Sequence, residues 1–443
     1  MRAANGTTLK LLSGFTLTHA LTVAGDPTLD VASGNVNTLA GAISDGASPG
    51  DIVKTGAGTL ITTAANGYTG TTTIASGIFA LSGAGSVAAS AGVIDNGIFD
   101  ISAASGGAAS ITTLSGIGSV ALGANTLNLT NPQGSFAGTI GGTGGLTLSG
   151  GSFALTGASS YTGKTLVAGG SLLVNGPIAG STVTVANGAL LGGSGSIGGL
   201  VAQGTVAPGT ATPFTTLSVA GNATFTSGST FLVNVNAAGQ TDKLAVSGTA
   251  SLQGGPVQVL AGTGIYSPLN RYTILTATGG VSGTFAQLVT SSNLSQAFAF
   301  LTPSLTYSAN NVVLGFTQTT PFAAVATTRN QVAAANALQG LGFGSPLYDV
   351  LVSQGFAGVG QSFALGRGAC ERGHRRLRRS APAARRHPRP AERAWGYACP
   401  RCRHHHDRRL CGRSANPQGA AARACRGAHV SAASLGPLGP GFW

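Results

Sequence analysis

From residue 6 to about 315 the chain is built from short runs in which apolar and small polar residues alternate, each run ended by Gly, Asn or Ser-Gly. Thr71-Thr72-Thr73-Ile74, Leu146-Thr147-Leu148 and Thr182-Val183-Thr184-Val185 are examples. Alternation with a period of two buries one face of a strand. Gly and Asn tolerate the positive backbone angles of tight corners. Many short strands separated by such corners predict a stacked solenoid, in which each unit buries its apolar face only against its neighbours.

Internal similarity supports stacking. Gly58-Thr59-Leu60 stands ten residues before Tyr68-Thr69-Gly70-Thr71-Thr72, as Gly151-Ser152-Phe153 stands ten before Tyr161-Thr162-Gly163-Lys164-Thr165. Nine residues after each Tyr a further Gly opens another strand, Gly77-Ile78-Phe79-Ala80-Leu81 and Gly170-Ser171-Leu172-Leu173-Val174. The composition fits a thin, elongated core: 71 Gly, 42% hydrophobic residues and only 8% charged ones. No run reaches the roughly 18 consecutive apolar residues of a membrane-spanning helix.

These segments resemble the autotransporter-associated β-strand repeat, with the pattern G-x-G-T-L-x-L-T-G-x-N-x-Y-T-G-x-T-x-V-x-x-G-x-L. Lys54-Thr55-Gly56-Ala57-Gly58-Thr59-Leu60 is the best match within the chain. Further on, Thr205-Val206-Ala207-Pro208-Gly209, Gln240-Thr241-Asp242-Lys243-Leu244, Arg271-Tyr272-Thr273-Ile274-Leu275, Gly283-Thr284-Phe285 and Phe300-Leu301-Thr302-Pro303-Ser304-Leu305 follow the order seen ahead of an autotransporter's translocator. The resemblance covers 40–175 as repeats and 190–315 as the C-terminal section of a passenger. It implies an all-β, right-handed parallel β-helix over 1–315, with 190–315 as its folding nucleus. It also implies a helical linker over 316–369, in which Val325 to Leu338 and Leu347 to Phe363 carry the helical spacing. The partners it implies are an outer-membrane β-barrel translocator and a host or matrix surface ligand.

Beyond residue 369 the composition changes. Residues 1–369 carry eight bases and eight acids, whereas 370–443 carry sixteen Arg against Glu371, Glu392 and Asp407, so the whole net charge of +13 lies in the tail. All five Cys and six of the seven His are there too. Where the family has a junction resembling S-G-E-V-H-A-S, this chain has Leu365-Gly366-Arg367-Gly368-Ala369-Cys370-Glu371-Arg372. Codons for these residues, entered one base into Gly366, are compatible with Gly-Glu-Val-His-Ala-Ser. The tail is therefore expected to be a disordered, out-of-frame translation, truncating the passenger before its barrel. The N-terminus, Met1-Arg2-Ala3-Ala4-Asn5, lacks the apolar region and cleavage site of a signal peptide.

Cys399-Pro400-Arg401-Cys402 with His404, His405 and His406 has zinc-ligand types, but Cys411 and Cys425 are irregularly placed. Arg375, Arg376, Arg378, Arg379, Arg385 and Arg386 suit nonspecific phosphate binding, and no specific nucleic acid is expected. Gly193-Ser194-Gly195-Ser196-Ile197-Gly198 has the spacing of a dinucleotide fingerprint without its βαβ context, and Gly163-Lys164-Thr165 lacks the spacing of a phosphate loop. Asp26 with Asp30, or Asp95 with Asp100, offers paired carboxylates for a polysaccharide-active enzyme. A serine triad would depend on His19, the only His before the tail. The sequence by itself points to a cell-surface or secreted stalk, structural or adhesive, that is not an enzyme. No catalytic, cofactor-binding or metal-binding residue is assigned to it.

Overall fold

A computed structural model describes residues 2–353 apart from 263, 265 and 291–299. Its strands stack into a parallel β-solenoid, and the helices Arg329–Gln339 and Pro346–Val352 are short. The tail from 370, with every Cys, lies outside the described residues.

Each coil passes through successive walls. Gly92–Asp95, Ile98–Ala104 and Ala108–Ile111 form one coil, and Leu114–Gly116, Ser119–Ala121 and Thr126–Leu129 pair with them in parallel as the next. One ladder of 14 strands runs from Thr8–Leu11 to Gln287–Thr290. Parallel register stacks like positions directly over one another, so the alternation becomes columns. Leu60, Phe79, Phe99, Val120 and Ile140 form one interior column, with the Phe79 and Phe99 rings stacked at 6.5 Å. Every member is at most 2% exposed. Truncating a buried Phe to Ala in such a stack costs about 3–5 kcal/mol.

A glycine corner column runs through the coils of residues 56–195. Gly56, Gly77, Gly97, Gly118, Gly138, Gly157, Gly176 and Gly195 recur every 19 to 21 residues. A Cβ on any of them after the first would collide with the carbonyl oxygen of the glycine before it, at 2.6 Å for Gly97. Those carbonyls are occupied by the ladder: Ile98 N–H donates to Gly77 O at 2.9 Å, and Ser119 N–H to Gly97 O at 2.9 Å. The corner therefore brings backbone against backbone with no room for a side chain.

The solenoid ends in a change of strand direction. Arg271–Ala277 pairs antiparallel with Asn311–Gln318, which pairs antiparallel with Leu301–Tyr307. The helices then pack on this hairpin. Phe322 meets Phe300 edge-on at 4.8 Å and Tyr348 at 5.1 Å, while the Gln318 and Gln339 side-chain amides bond reciprocally at 2.9 and 3.0 Å. Tyr348 Oη donates to Gln318 Oε1 at 2.6 Å. The first helix begins with a capping box in which Thr328 and Gln331 satisfy each other's backbone N–H. An antiparallel hairpin under helices covers a ladder edge that would otherwise template aggregation.

Gly157→Val is expected to lower solenoid stability by about 2–4 kcal/mol, read as the midpoint of thermal unfolding by circular dichroism. Gly67→Ala, whose Cβ would meet nothing within 4 Å, serves as the control and should stay within about 0.5 kcal/mol of the parent. Equal effects at the two positions would contradict the corner packing.

Candidate functional site

Most interior positions are apolar, so the polar groups inside the coils mark where the chain does something other than fill space. One interior column runs Leu9, Leu29, Lys54, Ile74, Asp95, Gly116, Phe136, Leu155, Val174. Lys54 and Asp95 occupy places that Leu, Ile or Phe take elsewhere, and both are fully buried.

Lys54 spends all three of its donors on backbone. Its Nζ donates to Thr55 O at 2.9 Å, Gly56 O at 2.8 Å and Ser76 O at 3.0 Å, tying two coils together at the glycine corner. Burial lowers its pKa to about 8 against the opposing pull of Asp30. Asp95 is less well served. Gly97 N–H donates to its Oδ1 at 3.1 Å, while Oδ2 has no hydrogen-bond partner among the described residues. Burial pushes its pKa up to about 6, against the backbone N–H groups of Gly97 and Phe99.

The two Tyr motifs build the same buried hydroxyl chain twice. Tyr68 Oη lies 2.5 Å from Thr72 Oγ1, which lies 3.1 Å from Ser90 Oγ, and Ser90 donates to Gly70 O at 2.8 Å. Ninety-three residues on, Tyr161 Oη lies 2.7 Å from Thr165 Oγ1, which lies 2.8 Å from Ser181 Oγ, and Ser181 donates to Gly163 O at 2.7 Å. Burial raises the pKa of both tyrosines, Tyr161 to about 12. Phenols held so firmly neutral bond their neighbours and do not act as bases. The Gly163-Lys164-Thr165 string thus belongs to a corner, with Thr165 turned inward.

Asp242, in the Gln240-Thr241-Asp242-Lys243-Leu244 segment, is a third buried polar centre. It accepts from Phe214 N–H at 2.6 Å, Asn234 N–H at 2.8 Å and Asn234 Nδ2 at 2.7 Å. This carboxylate pins the loop that leaves Pro208-Gly209 and holds Phe214 at a φ of 65°. In sequence Asp242 stands out only through its place in the 240–244 segment that carries the family resemblance, which does not say that it is buried.

The paired carboxylates do not assemble a hydrolytic centre. Asp95 points into the solenoid, whereas Asp100 alternates with buried Phe99 and Ile101 and so faces outward, accepting Ser102 N–H at 2.8 Å. Asp26 is exposed in the link between two strands, and Asp30 faces outward from its strand, accepting Thr55 Oγ1 at 3.2 Å. His19 is exposed in one of the first coils. Among the described residues no group of three His, Cys, Asp or Glu side chains converges as a metal site would. Gly193 to Gly198 leads into the strand Ser196–Ala202, where a dinucleotide fold would begin a helix.

No family model matches the chain. Over 226 residues, 48% of this chain and 21% of the relative, the sequence is 38% identical to the extracellular serine protease of Serratia marcescens. The chain thus spans about a fifth of that relative's length. This likeness overturns the expectation, drawn from sequence alone, that the chain is not an enzyme: its relative is named for proteolysis. Residues that cleave a peptide bond need not lie in the coils of a solenoid, so the placement of charges within the coils does not decide whether a protein is an enzyme.

Asp95 has a folded-state pKa near 6, above the ordinary carboxylate value of 3.8. Its protonated form is favoured inside, so the stability it allows is fully present below pH 3.8 and is lost as pH rises through about 6. Lowering the pH from 7.5 to 5 should stabilise the parent chain by roughly 1.4 kcal/mol more than Asp95→Asn, read as the shift in unfolding midpoint. Identical pH slopes for the two chains would contradict the assignment.

Proposed function

We propose that this solenoid is the β-helical section of an autotransporter passenger of the extracellular serine protease type, exposed at the cell surface or released from it. The observation that carries this reading is the 38% identity to the Serratia marcescens protein in a chain whose described strands form a parallel β-solenoid. A rod of stacked coils carries a proteolytic unit away from the membrane and gives it a rigid base. In this reading the partners are an outer-membrane β-barrel translocator and, along the outward faces, a host or matrix ligand. No helix among the described residues is long and apolar enough to cross a membrane, a statement that leaves strands aside.

Physics supports export of such a rod. Each coil that forms adds ladder hydrogen bonds and one layer to every interior column, so folding proceeds by addition to an existing end. The antiparallel hairpin gives 190–315 a finished end, and the earlier coils can be added to this segment in line with its proposed role as the folding nucleus. The polysaccharide reading loses its support with the divergence of Asp95 and Asp100.

The test places residues 1–369 between an export leader and an outer-membrane β-barrel in a Gram-negative host. The expected result is a surface-exposed fragment, accessible to antibody on intact cells, that resists trimming by added protease. Retention in the periplasm, with the barrel inserted normally, would contradict the proposal.

A further inference from the structure

Five Asn-Gly pairs lie among the described residues, at Asn5, Asn66, Asn96, Asn175 and Asn187. The fold treats them differently. Asn66 is buried, and its side chain bonds Ile43 N–H, Thr62 Oγ1 and Ser86 O, while Gly67 N–H donates to Ile43 O. Asn96 accepts from Ile117 N–H, and the N–H of Gly97 is held by Asp95. Asn175 accepts from Ser194 N–H, and Gly176 N–H donates to Leu155 O. Asn5 accepts from Asp26 N–H. Only at Asn187 is the side-chain amide without a hydrogen bond among the described residues, with the N–H of the following glycine equally unengaged.

Asn187 and Gly188 are both exposed at the tip of a tight turn closed by Ala189 N–H donating to Ala186 O at 3.0 Å. Gly188 has a φ of 81°, and a Cβ there would meet nothing within 4 Å, so the turn tip stands clear of its neighbours. Solvent reaches both the amide carbon and the glycine nitrogen. Every other pair has at least one of these groups held by a neighbouring coil.

We infer that Asn187-Gly188 is a site of spontaneous backbone modification by water. The Gly188 backbone nitrogen, having lost its proton to solvent base, bonds to Asn187 Cγ. The bond from Cγ to the side-chain nitrogen breaks, and ammonia leaves as the five-membered imide closes. Water then opens either imide carbonyl, giving Asp in the normal chain or its isomer with the main chain routed through the side chain. Either product adds a carboxylate to the turn, and the isomer lengthens the backbone by one carbon.

The location gives the change a consequence. Thr205 N–H donates to Ala189 O at 2.9 Å, and Gln203 N–H to Val185 O at 2.8 Å, so this turn is the bed on which the next coil rests. Gly204 packs against the carbonyls of Ala186 and Ala189 with no room for a Cβ. A lengthened turn shifts Ala189 and loosens that seam, so ageing of the rod starts here.

The full chain, held folded at mildly alkaline pH and sampled over days, is digested and mapped by mass spectrometry, with isoaspartyl methyltransferase labelling to detect the isomer. Amide-to-acid conversion is expected at Asn187 ahead of the other four pairs, with label on the same peptide. Asn187→Gln should remove the early label, and Gly188→Ala should slow it several-fold. The inference is overturned if Asn187 keeps its amide while another pair converts, or if all five convert together.

Discussion

Neighbouring coils approach so closely at one corner that backbone touches backbone, and the rest of the solenoid is arranged around that contact. The column from Gly56 to Gly195 leaves no space for a Cβ, so the chain must return a glycine to the corner once per turn. Over residues 56–195 that requirement goes with a coil of 19 to 21 residues, whereas coils further on, such as Leu217 to Leu244, are longer. A one-residue slip in any strand would turn its buried side chains outward. The glycine corner and the alternation of the strands are therefore two expressions of one constraint.

Register in turn decides what a polar residue inside the coils can do. Lys54 falls where its ammonium reaches three carbonyls around Gly56 and Ser76, so a buried charge becomes a clamp between coils. Asp95 falls two coils along the same column beside Gly116, where one oxygen is bonded and the other is not. Burial there raises its pKa to about 6. The paired Tyr, Thr and Ser chains show the opposite case, with each hydroxyl passing a hydrogen bond to the next until a backbone carbonyl takes the last.

Much of this architecture was legible in the sequence. The runs at Thr71–Ile74 and Leu146–Leu148 are strands, and the likeness between the segments around Tyr68 and Tyr161 corresponds to the same hydrogen-bonded geometry built twice. What was hidden depends on which residues of different coils share a column. Ser90 and Ser181 complete the hydroxyl chains from 18 and 16 residues beyond their Thr partners, a separation that local alternation does not encode. Asp95 and Asp100 look like a pair because they are five residues apart, yet a corner lies between them and sends one inward and the other outward. The proteolytic connection was hidden for a different reason: it comes from likeness to a longer protein, which the alternation of this chain's strands does not bring in.

The central claim is that the ladder is continuous from the early coils to the hairpin, with each coil protected by its neighbours. Native-state hydrogen exchange on the full chain, resolved by peptide, tests it most directly. Interior strands from Ile52–Thr55 to Pro256–Ala261 are expected to exchange slowly as one contiguous block, with Arg2–Ala3 and Thr16–Leu17, at the edge of their sheets, exchanging faster. Fast exchange in the middle of that block, at Phe79 or Phe153 for example, would contradict a continuous solenoid.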